Sequence, residues 1–141
     1  MYCLKTENSF DAAHFLSGYQ GKCRNIHGHR WRVIVEIFGE ALTEDGQMRG
    51  MLMDFGDLKK EVKALTEEFD HALIYEIGSL KKTTLVALKE EQFRLIEVMF
   101  RPTAENFARY FFEKMQEKGY PVYRVEVYET PNNCAVYMQK G

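Results

Sequence analysis

Cysteine is scarce and scattered in this chain, with Cys3, Cys23 and Cys134 as the only three. An odd number so widely spread excludes a disulfide framework and makes a reducing cytosol the expected home. Cys3 and Cys134 read as small apolar residues in strands. An excess of charge of one sign is lacking as well. Nineteen basic against twenty-one acidic residues leave a net charge of -2. That excludes the electrostatic footprint of a nucleic-acid or anionic-membrane partner, so any anionic ligand must be met locally. Nowhere do about eighteen apolar residues run together, so no membrane span is expected. Residues 1–10 set Lys5, Glu7 and Asn8 among apolar positions and lack the apolar core of a signal peptide. No repeat, linker or low-complexity tract divides residues 1–141, which read as a single domain.

What is present is an ordinary globular composition, 45% hydrophobic, 28% charged and 13% aromatic. A chain of roughly 150 residues buries about two-thirds of its unfolded surface, enough to fold without staples. From Tyr2 to His14 the even positions Tyr2, Leu4, Phe10, Ala12 and His14 share one face of an extended strand. From His29 to Gly39 the odd positions Trp31, Val33, Val35 and Ile37 do the same, and His27 and His29 have their parity. The loop-like run Ser17 to Lys22 lets the two strands pair antiparallel and bring His14 near His29. A helix follows through Leu58, Val62, Leu65 and Phe69, with Asp54 or Asp57 as its cap. Residues 80–91 read as a short helix and Arg94 to Phe100 as a strand ended by Pro102. A second long helix starts at Thr103 and closes at Gly119 and Pro121. Strands Val122 to Glu129 and Cys134 to Gln139 finish the chain. The order β-β-α-(α)-β-α-β-β predicts an α+β fold, an antiparallel sheet covered by helices on one face.

The run Cys23-Arg24-Asn25-Ile26-His27-Gly28-His29 places half of the four histidines beside a cysteine. His27 and His29 project to one side of a strand, Gly28 permits close approach, and His14 supplies a third imidazole from the paired strand. Three nitrogen donors with an open fourth position suit zinc, and zinc is preferred to iron because no ligating carboxylate is evident nearby. Cys23, flanked by Lys22 and Arg24, has two open readings: a fourth ligand closing a structural site, or a free thiolate beside a cation. Asp70-His71 is a solvated helix end or an imidazole held in one tautomer by a carboxylate. Glu129 ends the apolar face Tyr123, Val125, Val127; it is wet on a fraying strand, or it grips a planar N–H pair of a heterocycle.

Taken together, Phe10-Asp11-Ala12-Ala13-His14, the Cys23 to His29 run, Met53-Asp54-Phe55, Asp70-His71, Thr103-Ala104-Glu105-Asn106 and Tyr128 to Asn133 resemble the 6-pyruvoyltetrahydropterin and 6-carboxytetrahydropterin synthase family. They span nearly the whole chain in the family's order. The resemblance implies zinc on His14, His27 and His29, with Cys23 as the catalytic thiol and Asp70 and His71 completing a proton-transfer triad. It implies Glu129 as the pterin anchor, with Thr103 and Glu105 around the same pocket. The implied architecture is the tunnelling fold: an antiparallel four-stranded sheet with helices on one face, joining its copies into a β-barrel. The usual assembly is a homohexamer of two stacked trimers, with active sites between subunits.

The implied substrate is 7,8-dihydroneopterin triphosphate; charge and position, rather than the resemblance, make Lys22, Arg24 or Arg30 the residues expected to meet the triphosphate. The three residues between Cys23 and His27 look like the 6-carboxytetrahydropterin synthase branch of queuosine biosynthesis. Its product is a 6-carboxylate, released with acetaldehyde and triphosphate. The alternatives are the pyruvoyl-forming branch and a zinc-stabilised module without catalysis. One departure stands out: the stretch from Ala72 to Phe100 is longer than in compact members of the family.

Overall fold

The computed structural model describes residues 1–140. Its elements are β1 (Tyr2–His14), β2 (His27–Gly39), α1 (Phe55–Glu67), β3 (Ala72–Glu76), α2 (Lys82–Glu90), β4 (Leu95–Val98), α3 (Ala104–Glu117), β5 (Val122–Thr130) and β6 (Asn133–Met138). A short 3₁₀ turn, Lys22–Arg24, interrupts the β1–β2 loop. The sheet order is β4-β3-β1-β2-β5-β6. No helix among the described residues is long and apolar enough to cross a membrane.

The long β1–β2 pair is antiparallel from Tyr2↔Gly39 to His14↔His27. Its inward face is the one the alternation predicts: Phe10, Trp31, Val33, Val35 and Ile37 are all buried. Asp54 caps α1 by accepting the Gly56 amide at 2.6 Å. Thr103 caps α3 by accepting the Asn106 amide at 3.2 Å. The two helices bury Leu58, Val62 and Leu65, and Phe107, Phe111 and Met115, in one core against that face. The opposite face is polar, with Arg32 on Glu7 at 2.5 Å and Arg124 on Glu36 at 2.7 Å.

The sheet departs from the expected antiparallel four strands: it has six, and it is mixed. β3 runs parallel to β1, and β4 runs parallel to β3 across the α2 connection. The physical reason is local. Ala72, Ile74 and Tyr75 of β3 are all buried, so apolar residues fill both faces and no alternation announces a strand. Helix α2 forms where expected but buries no side chain, so α1 and α3 alone cover the sheet. Thus the β3-α2-β4 unit accounts for the long stretch 72–100 as an extension of the sheet at one edge.

Candidate active site

The single tryptophan joins the core to the site. Trp31 stacks on Phe10 with ring centroids 6.1 Å apart, and its edge meets His14 at 4.9 Å and His29 at 5.5 Å. Its indole N–H donates to the Ala12 carbonyl at 3.3 Å. Above it, on the end of the β1–β2 pair, stand the three imidazoles. His14 faces His27 directly in the register, and His29 lies one pleat along on the same face. His14 is fully buried; His27 and His29 are partly so.

Backbone carbonyls set the tautomers. His14 Nδ1 donates to the Pro102 carbonyl at 2.7 Å, and His27 Nδ1 donates to the Asn25 carbonyl at 2.7 Å. A carbonyl only accepts, so in the neutral rings the proton sits on Nδ1 and the lone pair on Nε2. The two Nε2 atoms are then 3.1 Å apart with lone pairs converging, an unfavourable pairing unless a cation lies between them. Burial pushes the His14 pKa down to about 4 and lowers that of His29, so the rings are held in the neutral form a metal requires.

Glu129 reaches the same point from β5. Its Oε1 is 2.9 Å from His29 Nε2 and 3.9 Å from His14 Nε2. The short contact to His29 is misaligned, so this buried Nε2 makes no hydrogen bond among the described residues. The donor atoms of His14, His27, His29 and Glu129 all lie within 4.8 Å of one another. An orphaned nitrogen and two opposed lone pairs fit a divalent ion in that space. The expectation that no carboxylate stands near the imidazoles is therefore overturned, because β5 brings one there from a hundred residues away along the chain. Choosing zinc over iron for want of a carboxylate fails with it. Glu129 lies within β5 rather than on a frayed end, 30% exposed, and Val125 and Val127 before it are fully buried.

Asp70 and His71 form the pair that their adjacency suggests, His71 Nδ1 donating to Asp70 Oδ2 at 2.9 Å. They sit in the turn between α1 and β3, beyond the helix end. His71 takes a φ of 57°, a left-handed conformation uncommon outside glycine. Two bonds to Asp11 hold it: the His71 amide donates to the Asp11 carbonyl at 2.6 Å, and Asp70 Oδ1 accepts the Asp11 amide at 2.9 Å. The Asp11 amide, and then the neighbouring His71, keep the Asp70 carboxyl below its ordinary pKa. His71 and His29 both line a cavity of about 510 Å³, as does Arg30.

Cys23 is half-buried on the 3₁₀ turn, and no hydrogen bond links it to His71 among the described residues. Glu105 shares a cavity of about 360 Å³ with Glu129. Thr103, at the same helix start, spends its hydroxyl on the α3 cap. Of the basic residues, Arg30 lines cavities of about 420 and 510 Å³ beside His29, whereas exposed Lys22 and Arg24 line neither. Sequence reasoning missed Asn25, Pro102 and Asp11, which act through their backbones. Asp11 belongs to the motif ending in His14, the one signal that could have drawn attention to it.

The family model described as 6-pyruvoyl tetrahydropterin synthase matches residues 3–140. A protein of Haemophilus influenzae named 6-carboxy-5,6,7,8-tetrahydropterin synthase is 34% identical over 142 residues, covering 99% of this chain and 100% of its own length. One of the same name from Synechocystis is 33% identical, covering 97% of this chain and 93% of its own. Among solved structures, Caenorhabditis elegans 6-pyruvoyl tetrahydropterin synthase superposes with a TM-score of 0.68 at 28% identity, covering 99% of this chain and 96% of that one. An uncharacterized Wolinella succinogenes protein shares the fold with a TM-score of 0.78 at 22% identity, covering 99% and 98%.

Proposed function

Because the chain belongs to the 6-pyruvoyl tetrahydropterin synthase family, we propose that it is a zinc-dependent lyase of the 6-carboxytetrahydropterin branch, acting in queuosine biosynthesis. Its reaction converts 7,8-dihydroneopterin triphosphate to 6-carboxy-5,6,7,8-tetrahydropterin, releasing acetaldehyde and triphosphate. The observation that carries this reading is the full-length likeness to relatives of that name, joined to the three-residue spacing from Cys23 to His27 that this chain displays.

His14, His27 and His29 hold the zinc through Nε2, the donor set a catalytic site with an open position uses. Bound there, zinc supplies Lewis-acid polarisation of the substrate's side-chain hydroxyls. Glu129 anchors the pterin by accepting two parallel N–H bonds, and Glu105 and Thr103 border the same space. Cys23, as thiolate, takes a proton from the substrate side chain. His71, oriented by Asp70, presents Nε2 and delivers a proton as triphosphate leaves. Arg30 faces the triphosphate. Cys23 meets the Asp70-His71 pair across a subunit boundary in a hexamer of two stacked trimers, which accounts for their lack of contact within one chain. The open edges at β4 and β6 and the polar face between them support joining of sheets into a barrel. Three free thiols support a cytoplasmic setting.

Incubating the zinc-loaded protein with dihydroneopterin triphosphate and identifying the products by mass spectrometry tests this reading. Acetaldehyde with a 6-carboxypterin is expected. A pyruvoyl product would assign the chain to the other branch, and no turnover would leave a metal-stabilised assembly module. Metal analysis of the protein as isolated decides zinc against iron.

A further inference from the structure

Between Pro102, whose carbonyl holds His14, and the loop that carries Cys23 lies one long side chain with no role in the chemistry above. Arg101 reaches the β1–β2 loop and donates from a terminal guanidinium nitrogen to the Ser17 carbonyl at 3.0 Å. Its guanidinium carbon sits 5.7 Å from the centre of the Tyr19 ring. The Tyr19 ring also lies against Gly21, where a Cβ would come within 2.7 Å of Tyr19 Cε1. Gly21 has an extended backbone, so space for the ring is what calls for glycine there. We propose that Arg101 and Tyr19 form a clamp that sets the Cys23 loop against the metal site.

The connections run in both directions through the loop. The Leu16 amide donates to the Cys23 carbonyl at 2.9 Å, so Ser17, which Arg101 holds, is the next residue after the one tied to Cys23. The Tyr19 amide donates to Leu16, closing the turn the clamp grips. Beyond Cys23, the Asn25 amide returns to Lys22, and the Asn25 carbonyl orients His27. Arg101 is itself fixed at its backbone: its carbonyl accepts from the Thr103 amide at 2.7 Å and from the Asn106 side chain at 2.9 Å. The clamp therefore spans from the start of α3 to the thiol loop. It persists although Arg101 Nε is buried without an acceptor among the described residues, an unfavourable arrangement that the Ser17 bond and the cation–π contact offset. Arg101 and Tyr19 are positioning residues: they act on chemistry through Cys23, and the inference rests on reading Cys23 as the working thiol.

The test uses the full-length, metal-loaded protein and the variants Arg101→Ala, Tyr19→Ala and their double. The rate at which iodoacetamide alkylates Cys23, followed on its peptide by mass spectrometry, needs no substrate and should rise severalfold in each. In turnover, kcat should fall by up to about 10²-fold with KM and bound metal unchanged, the signature of a misplaced reacting group. The double variant should be no worse than the worse single, because both remove one device. Tyr19→Phe keeps the ring and should restore both readouts. Arg101→Lys keeps a cationic donor but not the guanidinium's fixed fork and should recover them in part. Unchanged alkylation in both alanine variants would overturn the clamp. So would additive losses, or metal released in step with kcat, which would place Arg101 with Pro102 and His14 instead. If the wild type turns nothing over, the proposed reaction fails, and the alkylation rates alone still decide the clamp.

Discussion

Two histidine sites stand at one end of this sheet, and they are built on opposite plans. The trio His14, His27 and His29 rests on paired strands above Trp31, and His14 is only 1% exposed. His71 stands on a turn with its side chain 78% exposed, held by hydrogen bonds to Asp11 and Asp70. Burial favours the neutral form of His14 and His29, and the strand pairing gathers the donor atoms of the trio near one point, as metal binding demands. Exposure leaves the second free to meet a group it does not already touch, as the proposed proton transfer to substrate demands. The strained φ of His71 and its carboxylate tether supply orientation where packing is absent.

The largest effect should come from the buried site. His29→Ala removes the orphaned nitrogen and is expected to lower metal affinity by more than about 100-fold, beyond what loss of an outer hydrogen bond to a ligand costs, and to abolish turnover. Metal content after dialysis against a chelator checks it, and full retention would break the comparison at its root. Next in size, Cys23→Ala and His71→Ala should each cost on the order of 10²–10⁴ in kcat while metal content stays at the wild-type level. Loss of metal from the Cys23 variant would return that cysteine to the metal's ligands.

Glu129 sharpens the contrast because it touches both plans, with one oxygen 2.9 Å from His29 and its side chain 30% exposed. Glu129→Ala should weaken pterin binding on the order of tenfold to a hundredfold, the loss of a charge-assisted pair, without releasing metal. Fluorescence titration with a pterin and metal analysis on the same sample separate the two roles. Unchanged pterin affinity with lost metal would make Glu129 a fourth ligand.

What could be read in advance divides along the same line. The trio was legible because strand alternation is rigid: the parities of His14, His27 and His29 already placed them on the face of Trp31 and Val33. The carbonyls of Pro102 and Asn25 were not legible, since a backbone acceptor leaves no mark in side-chain identity. β3 hid because a strand flanked by parallel partners buries both faces and loses its period of two. Glu129 was recognised at the end of an apolar face, yet its arrival beside His29 depends on the β2–β5 register, which pairs Arg32 with Tyr128 and follows no local rule. Whether Cys23 meets His71 was a question of tertiary placement that sequence spacing could not answer, and no hydrogen bond joins the two among the described residues.

The smallest effect tests how the exposed pair is held. Asp70 keeps its charge in the folded protein because the Asp11 amide and then His71 favour the carboxylate, so its folded pKa lies below the unfolded one. The sign follows: the contribution to stability is present above the unfolded pKa and is lost as pH falls through the folded value. With the side chain 38% exposed, solvent screening limits that contribution to no more than about 1 kcal/mol. Asp70→Asn can still accept the Asp11 amide but carries no charge to titrate. The difference in melting temperature between wild type and variant should therefore be small at neutral pH and shrink toward zero in acid. A neutral amide would also face His71 with an N–H when it accepts from Asp11, turning the imidazole to its other tautomer and lowering kcat even where stability barely moves. A difference in melting temperature that persists undiminished in acid would show that the turn is held by packing, and the two histidine sites would then share one plan.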